Sequence, residues 1–186
     1  MSVPRDQEFA EYVSARLSTL RRLAYLLCQD RDRTDDLVQA AITRLYVHWG
    51  RARAVEHLDA YTRTVLVRVY LNERRSTWAT RVDLSRELPD TAAAPEDQDD
   101  ALDLRVALAT LPPRQRATLV LRFYCDLSVE QTATHLGCST GTVKSQTAKG
   151  LQALRGRLGP VDPANPHGLL STPRSVQPST EVRSNG

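Results

Sequence analysis

The segment DLSVEQTATHLGCSTGTVKSQTAKG, residues 126–150, constrains the fold more than any other stretch of the chain. Ser128 and Gln131 have the S-x-x-Q spacing in which a hydroxyl and an amide satisfy each other's backbone at a helix start. Val129, Ala133 and Leu136 then make one short apolar stripe, and Gly137 stands where a left-handed residue ends a helix. Ser139 is placed to cap a second helix, whose inner stripe is Val143, Thr147, Leu151, Leu154 and Leu158. Two short capped helices joined by a three-residue turn are a helix-turn-helix.

Helical geometry then decides which groups that second helix presents. At about 100° per residue with Val143 inward, Gly141, Ser145, Ala148, Lys149 and Gln152 point away from the core. Thr142, Lys144 and Gln146 lie on the flanks, next to Ser139 and Thr140 at the helix start. Small groups allow close approach to base edges, and a glutamine can bond adenine bidentately. Lysines reach phosphate or guanine, while a helix N-terminus favours a phosphate. The bland reading is a solvated helix face. Charge weighs against it, because residues 105–158 carry eight Lys and Arg against two Asp and Glu.

The chain is laid out in charge blocks that its net charge of +3 conceals. Residues 1–80 hold 13 basic and 10 acidic side chains, and residues 81–104 hold 2 and 8. The segment 79–100, with clustered acids and two prolines, reads as an acidic linker between domains at 1–78 and 101–158. Residues 159–186 contain five of the ten prolines among Ser, Thr and Asn and are expected to be a disordered tail. With 41% hydrophobic residues in 186, the ordered part can bury one ordinary core or two small ones.

Everything in the two domains reads as helix, so the predicted class is all-α. Phe9, Val13, Leu17, Leu20, Ala24 and Leu27 lie on one face of a helix over about 5–28. Thr34 is expected to cap a second, with stripe Leu37, Ala41, Leu45 and His48 or Trp49, and with Asp35 and Asp36 in its first turn. A third runs from about 58 to 78. Its TVLVRVYL run has strand propensity, but no second strand is available to pair with it. In the second domain a helix over about 100–110 stops at Leu111-Pro112-Pro113, and a proline in the first turn opens the next.

Several chemistries are disfavoured by pattern. The three cysteines have no paired spacing and the four histidines no metal-ligand spacing, so neither cofactor nor metal is expected. No carboxylate cluster with a His or Lys partner, Gly-rich phosphate loop or activated nucleophile is visible, which argues against an enzyme such as a small nuclease. No apolar run approaches a membrane span, and the N-terminus lacks a signal-peptide core, so a cytoplasmic location is expected. A stand-alone helix-turn-helix repressor or activator stays open, although it leaves the first domain without a task.

The residues also carry a family resemblance. LPPRQRATLVLRFYCDLSVEQTATHLGCSTGTVKSQTAKGLQALR resembles the fourth conserved region of bacterial RNA polymerase sigma factors of the extracytoplasmic-function group. DDLVQAAITRLYVHW and LDAYTRTVLVRVYLNERRSTW resemble that group's second region, and the whole resembles an actinobacterial-type branch. The resemblance implies an alternative sigma factor that binds the clamp and flap of core RNA polymerase, recognises −35 and −10 promoter elements and promotes melting. An anti-sigma factor is a further partner at family level. On this reading Ser139, Thr140, Thr142, Lys144, Ser145, Gln146 and Lys149 contact the −35 element. Tyr61, Arg63, Arg68, Asn72, Arg74, Arg75 and Trp78 serve the −10 element, where a melted strand needs basic and aromatic groups. Asp36, Leu37, Gln39 and Arg44 fall in the polymerase-binding motif.

Overall fold

A computed structural model describes residues 4–80 and 99–158, with side chains for 4–74 and 104–157. Of the predicted linker 79–100, residues 79–80 end one helix and 99–100 begin the next, while 81–98, the tail and the side chains of Arg75 and Trp78 fall outside the described residues. Eight α-helices follow one another: α1 (Arg5–Cys28), α2 (Arg31–Val47), α3 (Trp49–Ala52), α4 (Leu58–Thr80), α5 (Asp99–Ala109), α6 (Pro113–Leu119), α7 (Val129–Leu136) and α8 (Thr140–Leu158). A π-helical turn over Val120–Tyr124 continues α6. No strand occurs among the described residues.

The join between α1 and α2 differs from the sequence expectation. Gln29 adopts a left-handed conformation with φ 60° and closes α1, while its side-chain amide donates to the Leu26 carbonyl at 2.8 Å. Asp30 follows in extended conformation, and its carboxylate accepts the Arg33 amide at 3.0 Å. Asp30 is therefore the cap. Thr34, assigned that role from sequence, lies one turn inside the helix, buried, with its hydroxyl on the Asp30 carbonyl at 2.6 Å. An aspartate in extended backbone caps as well as a threonine, and the left-handed Gln29 brings Asp30 to the helix start.

The first four helices wrap two apolar centres. Leu45, Trp49 and Ala52 gather Phe9, Tyr12, Leu58 and Tyr61 around them, with Phe9 edge-on to Trp49 at 5.1 Å. The larger centre combines Leu20, Leu23 and Leu27 of α1 with Leu37, Val38 and Ala41 of α2 and Leu66, Val67, Tyr70 and Leu71 of α4.

The strand-like run of α4 has a packing explanation. Val65, Leu66, Val67, Val69, Tyr70 and Leu71 are all buried, an apolar arc too wide for a helix with one covered side. α4 is covered on two sides, by α1 and α2 and by residues of the second half. Ala117, Val120, Leu121 and Leu127 belong to the same core cluster as the residues of α1, α2 and α4. The threonines of α4 return their hydroxyls to the backbone one turn earlier, Thr62 to Leu58 and Thr64 to Ala60, both at 2.9 Å. The two domains expected from sequence thus share a core. A separate cluster of Leu104, Ala107, Leu108, Leu111, Leu119 and Leu154 ties α5 and α6 to α8.

Candidate nucleic-acid interface

Local capping positions the C-terminal pair of helices. Ser128 Oγ accepts the Gln131 amide at 3.1 Å, and the Gln131 side chain accepts the Ser128 amide at 2.8 Å. Gly137, at φ 61°, ends α7 in the left-handed region that a glycine enters without strain. Ser139 Oγ accepts the Thr142 amide at 3.1 Å and pairs with the Thr142 hydroxyl at 2.9 Å. One hydroxyl proton of that pair is spent between the two oxygens. The other is left for an acceptor in front of the helix, beside the positive end of its dipole.

α8 presents the face that its sequence predicts. Val143 and Leu154 are fully buried, and Gly150 is buried where its missing side chain admits Leu119, whose Cδ1 would lie 2.9 Å from an added Cβ. Ser139, Thr140, Gly141, Lys144, Ser145, Ala148, Lys149 and Gln152 are exposed, and Thr142 and Gln146 are half-buried at the edges. The helix carries Lys144, Lys149, Arg155 and Arg157 and no acidic residue. All seven residues assigned to the −35 contact therefore lie together on one outward surface or its rim. An open groove beside the start of α8 is lined by Glu130, Ala133, Thr134, Cys138 and Ser139. The Glu130 carboxyl is held below its usual range, first by a bond to its own backbone amide and then by Ser128. It stays anionic and sets one negative boundary to the basic face.

The residues assigned to the −10 element are divided by the fold. Arg68 and Asn72 are exposed on α4. Tyr61 is half-buried between both N-terminal clusters and serves the core at least in part. Arg74 is half-buried and sits over the Tyr70 ring at 5.8 Å. Arg63 is half-buried and turns toward α7, where its charge acts on His135 and on the Cys125 thiol. Arg75 and Trp78 lie on the helix, beyond the described side chains.

On α2, Asp36, Gln39 and Arg44 are exposed, whereas Leu37 has 0% of its surface accessible. Leu37, wholly enclosed in the core, supports α2, as its place in the predicted apolar stripe implies. Val47 was missed. It is 66% exposed and eleven residues after Asp36, which at 100° per residue returns it to the same face. The available signal was the i, i+3, i+7, i+11 row Asp36, Gln39, Thr43, Val47. Among the described residues there is no cluster of His, Cys, Asp and Glu suited to a metal ion. No described helix is long and apolar enough to cross a membrane.

Known protein families match the chain in both halves. The family model Sigma-70 region 2 matches residues 12–80, and the model Sigma-70, region 4 matches residues 107–156. The RNA polymerase sigma-E factor of Streptomyces coelicolor is 37% identical over 158 residues, which cover 81% of this chain and 86% of that protein. The ECF RNA polymerase sigma factor EcfG of Rhodopseudomonas palustris is 28% identical over 177 residues, covering 94% and 97%. Among solved structures, the sigma factor RpoE of Bartonella quintana, in complex with the anti-sigma factor NepR, has the same fold. Its TM-score is 0.68 at 24% identity, covering 81% of this chain and 96% of that one. With region 2 and region 4 in the required order, and a Streptomyces sigma factor aligned over most of both lengths, the chain belongs to the sigma-70 family of RNA polymerase sigma factors.

Proposed function

We propose that this sigma factor directs core RNA polymerase to promoters by assigning separate DNA elements to its two halves. α8 enters the major groove at the −35 element, with Gln146 on a base edge, Lys144 and Lys149 on phosphate or guanine, and Ser139 and Thr142 holding a phosphate at the helix start. The single observation that carries this reading is the outward face of α8, small, polar and basic above a helix-turn-helix closed by caps at both joints.

Arg68 and Asn72 of α4, with Arg75 and Trp78 farther along the helix, are assigned to the −10 element. Melting without a nucleotide fuel requires a displaced base to be held by stacking and cations, and these side chains are of that type. Asp36, Gln39, Arg44 and the exposed Val47 form the surface offered to the polymerase clamp. The protein acts inside the cell as a binding subunit with no catalytic chemistry of its own. An anti-sigma protein, as in the Bartonella complex, is a fitting regulator.

Run-off transcription on genomic DNA fragments, with core polymerase in the presence and absence of the chain, tests the proposal. Discrete starts that share two upstream elements are expected only when the chain is present. Specific binding of duplex DNA by the chain alone, with no new starts, would instead make it a stand-alone repressor or activator.

A further inference from the structure

One short segment of the N-terminal half is held from outside at both of its ends. It runs from Arg53, just past the end of α3, to Asp59 in the first turn of α4, and both ends are bound to α1. Arg53 Nη1 donates to Glu8 Oε2 at 2.9 Å. Arg16 Nε donates to both oxygens of Asp59, at 2.9 and 3.1 Å, and the Tyr12 hydroxyl donates to the same carboxylate at 3.0 Å. That hydroxyl also lies 2.8 Å from Thr62 Oγ1, one turn into α4. The bond from Arg16 holds the Asp59 carboxyl below its usual range, so it stays anionic.

Glu8, Tyr12 and Arg16 recur every four residues and so form one row along α1. Beside the row, the rings of Phe9 and Tyr12 pack on Trp49 with centroids 5.1 and 5.4 Å away. That buried contact holds α1 in place. Ion pairs as exposed as these stabilise a fold little: Arg16 and Asp59 keep 44% and 51% of their side-chain surface accessible, Arg53 and Glu8 47% and 40%.

What the row does fix is the position of the segment. Glu8 and Arg16 stand about 12 Å apart along the helix, whereas the chain from Arg53 to Asp59 reaches roughly 20 Å when extended. Its middle therefore bows outward, and Ala54, Val55, Glu56 and His57 are all exposed.

Resting on the −10 assignment above, we propose that Glu8, Tyr12 and Arg16 are positioning residues for melting. They hold the loop 54–57 as a preset edge beside α4 that takes up an unstacked base of the −10 strand. Val55, 41% exposed, offers the base an apolar face, and the exposed Arg51 supplies a cation for the strand. Glu56 repels phosphate, so bases rather than backbone meet the loop. A loop that is already ordered loses little entropy on capturing a base, and there a brace of small value to stability has its effect.

The test uses the full chain with core polymerase on a mapped promoter carrying a fluorescent base analogue in the −10 strand, whose emission rises when that base unstacks. Glu8→Arg is expected to lower the rise at least about three-fold, and Glu8→Arg/Arg53→Glu to restore most of it, because the exchanged pair rebuilds the brace. Tyr12→Phe keeps the ring on Trp49, loses both hydroxyl bonds and should lower the rise about two-fold. Each variant should keep the −35 footprint and a thermal midpoint within about 4 °C of wild type. An unchanged rise in either Glu8→Arg or Tyr12→Phe would overturn the proposal. Failure of the exchanged pair to restore the rise would make Arg53 itself a DNA contact and would also overturn it. A fall in midpoint large enough to account for the loss would make these residues structural, with the same consequence. Absence of any rise with wild type would instead remove the −10 assignment.

Discussion

The two halves of the chain are held in place by different physics. The start and direction of entry of α8 are set by signals within about twenty residues, the Ser128–Gln131 capping box, the left-handed Gly137 and the Ser139 cap, and its packing stays within its own half, on α5 and α6. α4 owes its place to residues far away in sequence, from Leu20 and Leu37 on one side to Val120 and Leu127 on the other. A reading helix set by its own caps keeps its geometry when the partner half leaves. A central helix enclosed by both halves depends on residues from each.

The largest expected effect separates these two modes. Leu66→Ala removes an enclosed side chain from the N-terminal core and should cost about 2–5 kcal/mol in urea unfolding, with the denaturant slope unchanged. A smaller cost is expected from Ser128→Ala, about 1 kcal/mol by thermal unfolding. Adding Gln131→Ala should cost little more, because the two side chains support one reciprocal motif.

A pH dependence should follow from the bond between His135 on α7 and Thr64 on α4. Burial, then Arg63 and Arg68 of α4, hold the His135 pKa below its ordinary 6.5. A depressed pKa means a contribution to the packing of α7 on α4 that is complete above that ordinary value and is lost as the pH falls below it. Size-exclusion chromatography of the free chain should show a larger particle at about pH 5.5 than at about pH 7.5, and His135→Gln should flatten the response. An equal response in His135→Gln would assign the expansion to other groups. The smallest effect concerns a single charge. Lys149→Ala should lower the slope of log affinity against log salt for duplex −35 DNA by about 0.9, with specificity nearly unchanged.

Legibility in sequence followed the same contrast. The caps of α7 and α8, the proline opening of α6 and the outward face of α8 were readable because each depends on neighbours in the chain. The all-helical class was readable too, even for TVLVRVYL, since the sequence offers no second strand-like run to pair with it. Thr34 was mistaken for the cap of α2 because Asp30 and Thr34 are both good caps. Only the left-handed turn at Gln29 brings Asp30 to the helix start. The burial of Leu37 was readable from its place in the stripe Leu37, Ala41, Leu45. The shared core left no local signal. Ala117, Val120 and Leu121 would be apolar in a helix packed on either its own half or the other, and only the assembled fold decides.

One measurement bears most directly on the division of labour between the halves. Transcription start sites would be mapped with core polymerase and, in turn, wild type, Gln146→Ala and Asn72→Ala. Gln146→Ala should relax the sequence shared at −35 and leave the −10 sequence intact, while Asn72→Ala should do the reverse. Both elements changing together in either variant, or neither changing in both, would contradict the assignment of one element to each half.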